Sequence, residues 1–315
     1  MRPILRWNYP RSIPPADFIG SLSTQLYAKS THFLLELVQN ADDNIYECKR
    51  PTLSFSYKPG SLRIDCNEVG LTEANVEALC AVSRSTKSSK TRHGEHIGEK
   101  GIGFKSVFKA ADVVWISSRD FTFKFDRVKS ALGMVTPVWA DFPEAIEAGC
   151  TSMYLQLSRD CDEQDLVREL MDFDPNLLIF LRRVEEINLR IVRPQIDHKQ
   201  QEWQKTMRKT EETQHGKTVV MILDGKHKLQ YLIRSHVVSG LPPERKRPNW
   251  SETKILLGFP VLDLSQGHPQ LPLQNVYSFL PIRNYGLKVA WFCMHRLSSM
   301  LVLTSFRFSY KVTSS

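Results

Sequence analysis

The sequence predicts an α/β protein of two domains, and three observations carry the prediction. A chain of 315 residues and 36.3 kDa suffices for about two hydrophobic cores. Up to about residue 175, stretches of helical period alternate with short strand-like runs. From 176 to 288 strand-like runs predominate, which marks a smaller, β-rich α/β second domain. The last segment, 289–315, reads as a divergent tail.

In chain order, Asp17 is an N-cap for a helix over 17–28, and a second helix starts near Ser30 or Thr31. Thr52–Tyr57 and Ser61–Cys66 read as a hairpin closed by Pro59 and Gly60. A helix over Thr72–Val82 precedes a polar loop to His96, and a glycine-rich turn at Gly98–Gly103 leads into another helix. Strands follow at Val113–Ser117, Phe121–Phe125 and Met153–Leu157, then a helix over Asp162–Phe173 that Asp174 and Pro175 break. The second domain carries strands at Ile187–Val192, Thr218–Leu223, Leu229–Val238, Lys254–Val261 and Val276–Pro281. The polar segment His198–Lys217 and the loop Pro242–Pro248 separate some of them.

Composition narrows the function classes. Apolar residues at 42% and charged residues at 24% exclude wholesale disorder. The six cysteines include no CxxC pair, so they read as reduced residues and not as a disulfide framework or zinc site. The start has no apolar core of a secretory signal. Leu287–Phe306 carries Lys288, His295 and Arg296, whose burial in lipid argues against a spanning helix. The expectation is an intracellular protein, in cytoplasm or nucleus, without membrane partners. The net charge of +8 points to an anionic partner. Part of the excess is local, since Arg84–Lys109 holds seven basic residues against Glu95 and Glu99. Such a run is, alone, usually a solvated face.

Three segments carry chemistry. In Phe33–Asn44, Glu36, Asn40 and Asp43 fall within an arc of about 60° on a helix, while Leu34, Leu37, Val38, Ala41 and Ile45 cluster opposite. Taken alone this is an ordinary amphipathic helix. Asp65-Cys-Asn-Glu-Val-Gly70 ends a strand and precedes a helix, a place where a carboxylate can reach a pocket floor. In Gly98-Glu-Lys-Gly-Ile-Gly-Phe-Lys-Ser106, three glycines let backbone N–H groups approach an anion, and a following helix would add its positive end. A dinucleotide-binding Rossmann turn is excluded, because no strand precedes these glycines.

In this order the three segments resemble the GHKL ATPases, and within them the sacsin and NO VEIN-like subgroup. Glu-Leu-Val-Gln-Asn-Ala-Asp-Asp-Asn at 36–44, Cys-Asn-Glu-Val-Gly-Leu at 66–71 and Ile-Gly-Glu-Lys-Gly-Ile-Gly-Phe-Lys-Ser-Val-Phe at 97–108 carry the likeness, which spans about residues 15–285. It implies a Bergerat-type domain, an α+β two-layer sandwich of helices over a mixed, largely antiparallel sheet, that binds ATP and Mg²⁺. By position, Glu36 would orient or deprotonate the attacking water, Asn40 would hold Mg²⁺, and Asp43 would support the nucleotide site. Asp65 would accept from the adenine amino group, with Asn67 and Gly70 shaping the turn after it. Gly98, Gly101 and Gly103, followed by Phe104, would form the phosphate turn. Ser83–His96 would be a mobile lid from which Lys87 or Lys90 reaches phosphate, and Thr151 would close the adenine side. The broad superfamily has Gly where Asn67 stands; Asn tolerates a left-handed backbone next best, so the turn stays feasible.

The implied function is Mg²⁺-dependent ATP binding and slow hydrolysis that drive conformational change in a chaperone-like or scaffold protein with a protein client. A homodimer is an admissible assembly. The alternative is a catalytically inactive ATP-binding clamp or interaction module, a truncated family member. Arg283 and Lys288 are conceivable cation donors, although surface solvation explains both. A MutL-like, nucleic-acid-associated ATPase rests only on net charge and the basic loop at 244–248. A histidine kinase is disfavoured, because His32 lies within the nucleotide helix itself.

Overall fold

The structure, a computed structural model, describes residues 32–80, 103–130, 132–193, 201–214, 217–225, 227–240, 252–261, 274–278, 280–287 and 290–293. The chain divides into two compact units, Met1–Thr210 with Met221–Leu229, and Glu211–Val220 with Gln230–Ser315.

The first unit begins with α1 (His32–Asp42), whose Phe33, Leu34, Leu37, Val38 and Ala41 are buried. Each large side chain of that stripe contributes about 1.5–3 kcal/mol by leaving water. Ile45 does not continue the stripe; the helix ends at Asp42 and Ile45 is exposed. Strands β1 (Thr52–Lys58) and β2 (Ser61–Cys66) form the expected hairpin, with Gly60 at φ +77° in the turn. Then come α2 (Glu73–Cys80), a 3-10 helix (Phe104–Lys109), β3 (Ala111–Ser118), β4 (Phe121–Asp126), β5 (Val138–Trp139) and β6 (Thr151–Leu157). Helix α3 (Glu163–Met171) starts where Asp162 accepts from the Asp165 N–H at 2.9 Å. A second 3-10 helix (Pro175–Ile179) leads to β7 (Glu186–Val192).

Hydrogen bonding sets the strand order β8-β7-β1-β2-β6-β3-β4-β5, where β8 is Glu202–Gln214. Only β1 and β7 run parallel in this stretch, with Thr52 opposite Glu186. The strand just beyond residue 175 thus pairs with the first hairpin. Leu53, Phe55, Leu62, Ile116, Phe123, Phe125 and Leu155 fill the core.

In the second unit, β10 (His227–Ser239) pairs antiparallel with β11 (Glu252–Pro260) from Tyr231↔Pro260 to Ser239↔Glu252. Beyond β11 lie β14 (Ala290–Cys293), β12 (Gln274–Ser278) and β13 (Leu280–Leu287). Strand β14 comes from the segment that reads as a tail, and it pairs antiparallel with β11. Strands β8, β9 (Lys217–Asp224) and β10 each hold residues of both units.

The two-layer α+β sandwich is overturned. Among the described residues, fourteen strands stand against three α-helices and two 3-10 helices, and mixed sheet dominates each unit. Two physical reasons account for it. The glycine-rich turn opens a six-residue 3-10 helix and not an α-helix. The polar segment 198–217 contains the 13-residue strand β8. There Trp203, Lys205, Met207 and Lys209 take the sheltered positions while Glu202, Gln204 and Thr206 are exposed, so two inward lysines hide the alternation. Lys209 Nζ donates to the Leu181 carbonyl at 2.5 Å, which makes its burial tolerable.

Candidate functional site

Glu36 and Asn40 stand one turn apart on α1, both half-buried. Opposite them Gly103 enters the first 3-10 helix with φ −54° and ψ −47°. A Cβ built there would sit 2.8 Å from Glu36 Oε2 and 3.8 Å from Asn40 Nδ2. A side chain here would displace the Glu36 carboxylate, while the dihedrals suit any residue. Ser106 locks the turn, its N–H and hydroxyl both donating to the Gly103 carbonyl at 3.1 and 2.6 Å. Phe104 anchors it, packing 5.8 Å from Phe125 and 6.3 Å from Phe108.

The end of β2 meets the end of α1. The Tyr46 hydroxyl donates to the Ala41 carbonyl at 2.8 Å and lies 3.1 Å from Cys66 Sγ. Burial pushes the Cys66 thiol up to about 12 and pushes Tyr46 up as well. The Val69 N–H donates to the Ile45 carbonyl at 2.9 Å, which ties the following turn to the same place. Within β2, Leu62, Ile64 and Cys66 are buried on the α1 side, so Arg63 and Asp65 point to the other face.

Asp65 is therefore not brought together with Glu36 and Asn40. Arg63 holds it, donating to Oδ1 at 2.9 and 3.1 Å and to Oδ2 at 2.8 Å, and the Ser152 hydroxyl adds a bond to Oδ1 at 2.6 Å. The register pairs Cys66 with Thr151 and Asp65 with Ser152. Thr151 consequently shares the α1 face, and there it meets Glu68. A relay runs from the Leu71 N–H to Ser118 Oγ at 2.8 Å, from Ser118 to Thr151 Oγ1 at 2.6 Å, and from Thr151 to Glu68 Oε1 at 2.5 Å. Glu68 is 8% exposed, and its Oε2 has no hydrogen bond among the described residues. Sequence reasoning passed over Glu68; the signal was available in the strand period, which turns Asp65 away.

The remaining predicted residues have other partners. Asn67 closes the hairpin end, accepting from the Thr52 N–H at 2.7 Å and donating to the Arg50 carbonyl at 2.9 Å. Gly70, at φ +91°, takes the left-handed turn, and a Cβ there would meet Arg119 Cγ at 2.6 Å. Among the described residues, Arg119 is the non-glycine with positive φ, at 51°. Asp43 is buried against the Arg182 guanidinium at the end of α1. Beside it, Asp42 accepts from the N–H groups of Arg182, Arg183 and Val184 at 3.0, 2.8 and 3.1 Å. Lys87, Lys90, Gly98, Gly101 and the proposed lid lie outside the described residues.

One buried cation stands apart. Lys105 is 2% exposed, and among the described residues its Nζ has no hydrogen-bond partner. Burial pulls its ammonium down to about 8, with Cys80 on α2 acting weakly the other way. Among the described residues no three His, Cys, Asp or Glu side chains gather as a metal cage. No described helix is long and apolar enough to cross a membrane.

No family model matches the chain. It is 34% identical over 290 residues to Protein NO VEIN of Arabidopsis thaliana, a match covering 85% of this chain and 10% of that protein. The chain thus spans about a tenth of the length of the curated relative it matches.

Proposed function

For this NO VEIN-like chain, we propose Mg²⁺-dependent ATP binding with slow hydrolysis, serving conformational change in a chaperone-like or scaffold protein that acts on a protein client. The observation that carries the reading is the contact of Gly103 with Glu36 and Asn40. It sets a carboxylate, an amide and the end of the glycine-rich motif side by side, in the motif order that resembles GHKL ATPases. The nucleotide chemistry is proposed without the two-layer fold first expected.

Glu36 is the base in this reading, positioned to take a proton from water. Asn40 offers an amide oxygen, a hard donor suited to Mg²⁺, which keeps most of its shell from water and phosphate and needs few protein ligands. Bound there, the ion would neutralise charge on the phosphates during transfer. Glu68 takes the adenine-recognition role that the sequence suggests for Asp65. Its Oε1 is fixed by Thr151, and its Oε2 is available to accept from an exocyclic amine. An acceptor-only carboxylate favours adenine over guanine at that edge.

The test is Mg-ATP binding and turnover by the purified 315-residue chain beside Glu36→Ala and Glu68→Gln. Wild type should bind and hydrolyse, Glu36→Ala should bind without turnover, and Glu68→Gln should bind weakly. Absence of ATP binding by the folded wild type would sink the reading. Binding without turnover would leave an ATP-binding clamp.

A further inference from the structure

We propose that Lys105 is the phosphate-binding cation of this site, its ammonium completed by an anionic group of the ligand, the phosphate chain of the nucleotide. The inference rests on the nucleotide reading above and adds a residue that the motif argument left unassigned.

Three observations converge on Lys105. It follows Gly103 by two residues, on the 3-10 helix that packs against α1. The contact of Gly103 with Glu36 and Asn40 places that helix at the carboxylate-amide edge of the site. Its charge is felt by Cys80 on α2, the helix that follows the Glu68–Gly70 turn. The side chain therefore lies on the 3-10 helix that packs against α1, within electrostatic range of Cys80. Third, Nζ is enclosed and has no acceptor among the described residues. Burying an ammonium without a partner is costly, and the contrast with Lys209, equally buried but bonded to a carbonyl, shows that this fold can satisfy a buried lysine.

A phosphate would supply what is missing, a compact anion with several strong acceptors for a point-charge donor. Free phosphate and the nucleotide chain share this chemistry, and the experiment separates them.

The full chain and Lys105→Met are titrated with Mg-ATP, adenosine and pyrophosphate, and their thermal midpoints are compared without ligand. Loss of the ammonium should weaken ATP and pyrophosphate roughly 10- to 100-fold, leave adenosine unchanged, and not lower the thermal midpoint. Equal ATP affinity in the two proteins overturns the Lys105 assignment and spares the nucleotide reading. Lys105-dependent pyrophosphate binding without ATP or adenosine binding keeps the anion site and sinks the nucleotide reading. If wild type binds none of the three, both fail. Failure of Lys105→Met to fold also overturns the proposal, because it would give the ammonium a structural role in the unliganded protein.

Discussion

The Thr151 hydroxyl donates a hydrogen bond to Glu68 Oε1 at 2.5 Å, joining the start of β6 to the turn after β2. Ser118 stands behind Thr151, so the threonine rotor is committed in one direction. The carboxylate is held in place by a donor that leaves its second oxygen without a hydrogen bond among the described residues. Exchanging it for an amide should let the NH₂ group meet the incoming amine. Glu68→Gln is expected to weaken ATP roughly 10- to 100-fold with an unchanged unfolding midpoint, read by calorimetric titration and thermal melting.

Asp65→Asn should behave in the opposite way. Its bidentate Arg63 pair and the Ser152 bond lie on the far face of the sheet. The variant should lose about 1–3 kcal/mol of stability, the worth of charge-assisted hydrogen bonds, and keep its ATP affinity. Urea unfolding beside nucleotide titration checks both halves. A variant of full stability that no longer binds ATP would return the adenine role to Asp65.

Gly103→Ala puts a methyl carbon 2.8 Å from Glu36 Oε2. That oxygen is the free end of a flexible side chain, so the fold should survive with a small midpoint change. The displaced carboxylate loses its aim. Turnover should drop roughly tenfold or more while ATP binding changes little, since small misplacements of a reacting group are costly in rate.

Arg182 neutralises the buried Asp43 at the end of α1. Removing only the cation strands the carboxylate in the interior. Arg182→Met should cost about 3–5 kcal/mol, and adding Asp43→Asn should recover part of it. A double variant no more stable than Arg182→Met would show that the pair does not act as a unit.

Lys105 gives a pH signature. Its ammonium titrates near 8 in the folded chain and near 10.4 when unfolded. Between those values the unfolded chain holds more protons, so this group's contribution to stability rises with pH. Below the window the charged, enclosed ammonium is a fixed cost. Lys105→Met should be more stable than wild type at neutral pH by about 1–3 kcal/mol, and the gap should close toward pH 10. Two thiols, the buried Cys66 and the half-buried Cys80, are pushed up to about 12. Both lower stability with rising pH; Cys66 largely cancels in the difference, which paired urea titrations would measure, while Cys80 loses the pull of Lys105 in the variant, shifts further up and helps close the gap.

Much of the local structure was legible in the sequence. The stripe of α1, the Pro59-Gly60 hairpin and the Asp162 cap each follow from a few neighbouring residues, because period, turn geometry and a short polar side chain act over one or two turns of chain. Glu36, Asn40 and Gly103 belong to motifs for the same reason. What the sequence could not decide was the balance of layers. Strand β8 is stabilised by pairing with β7, a partner found only in the folded chain, and its inward lysines mask the alternation that would reveal it. Nor could it decide which acidic residue of the β2 turn lies on the α1 side. Asp65 and Glu68 are equally plausible as letters, and only the pleat of β2 and the register that sets Cys66 opposite Thr151 turn Asp65 away and bring Glu68 to Thr151. Sequence fixes the chemistry on offer within a segment; tertiary structure sets the face each group points to, because facing depends on partners far along the chain.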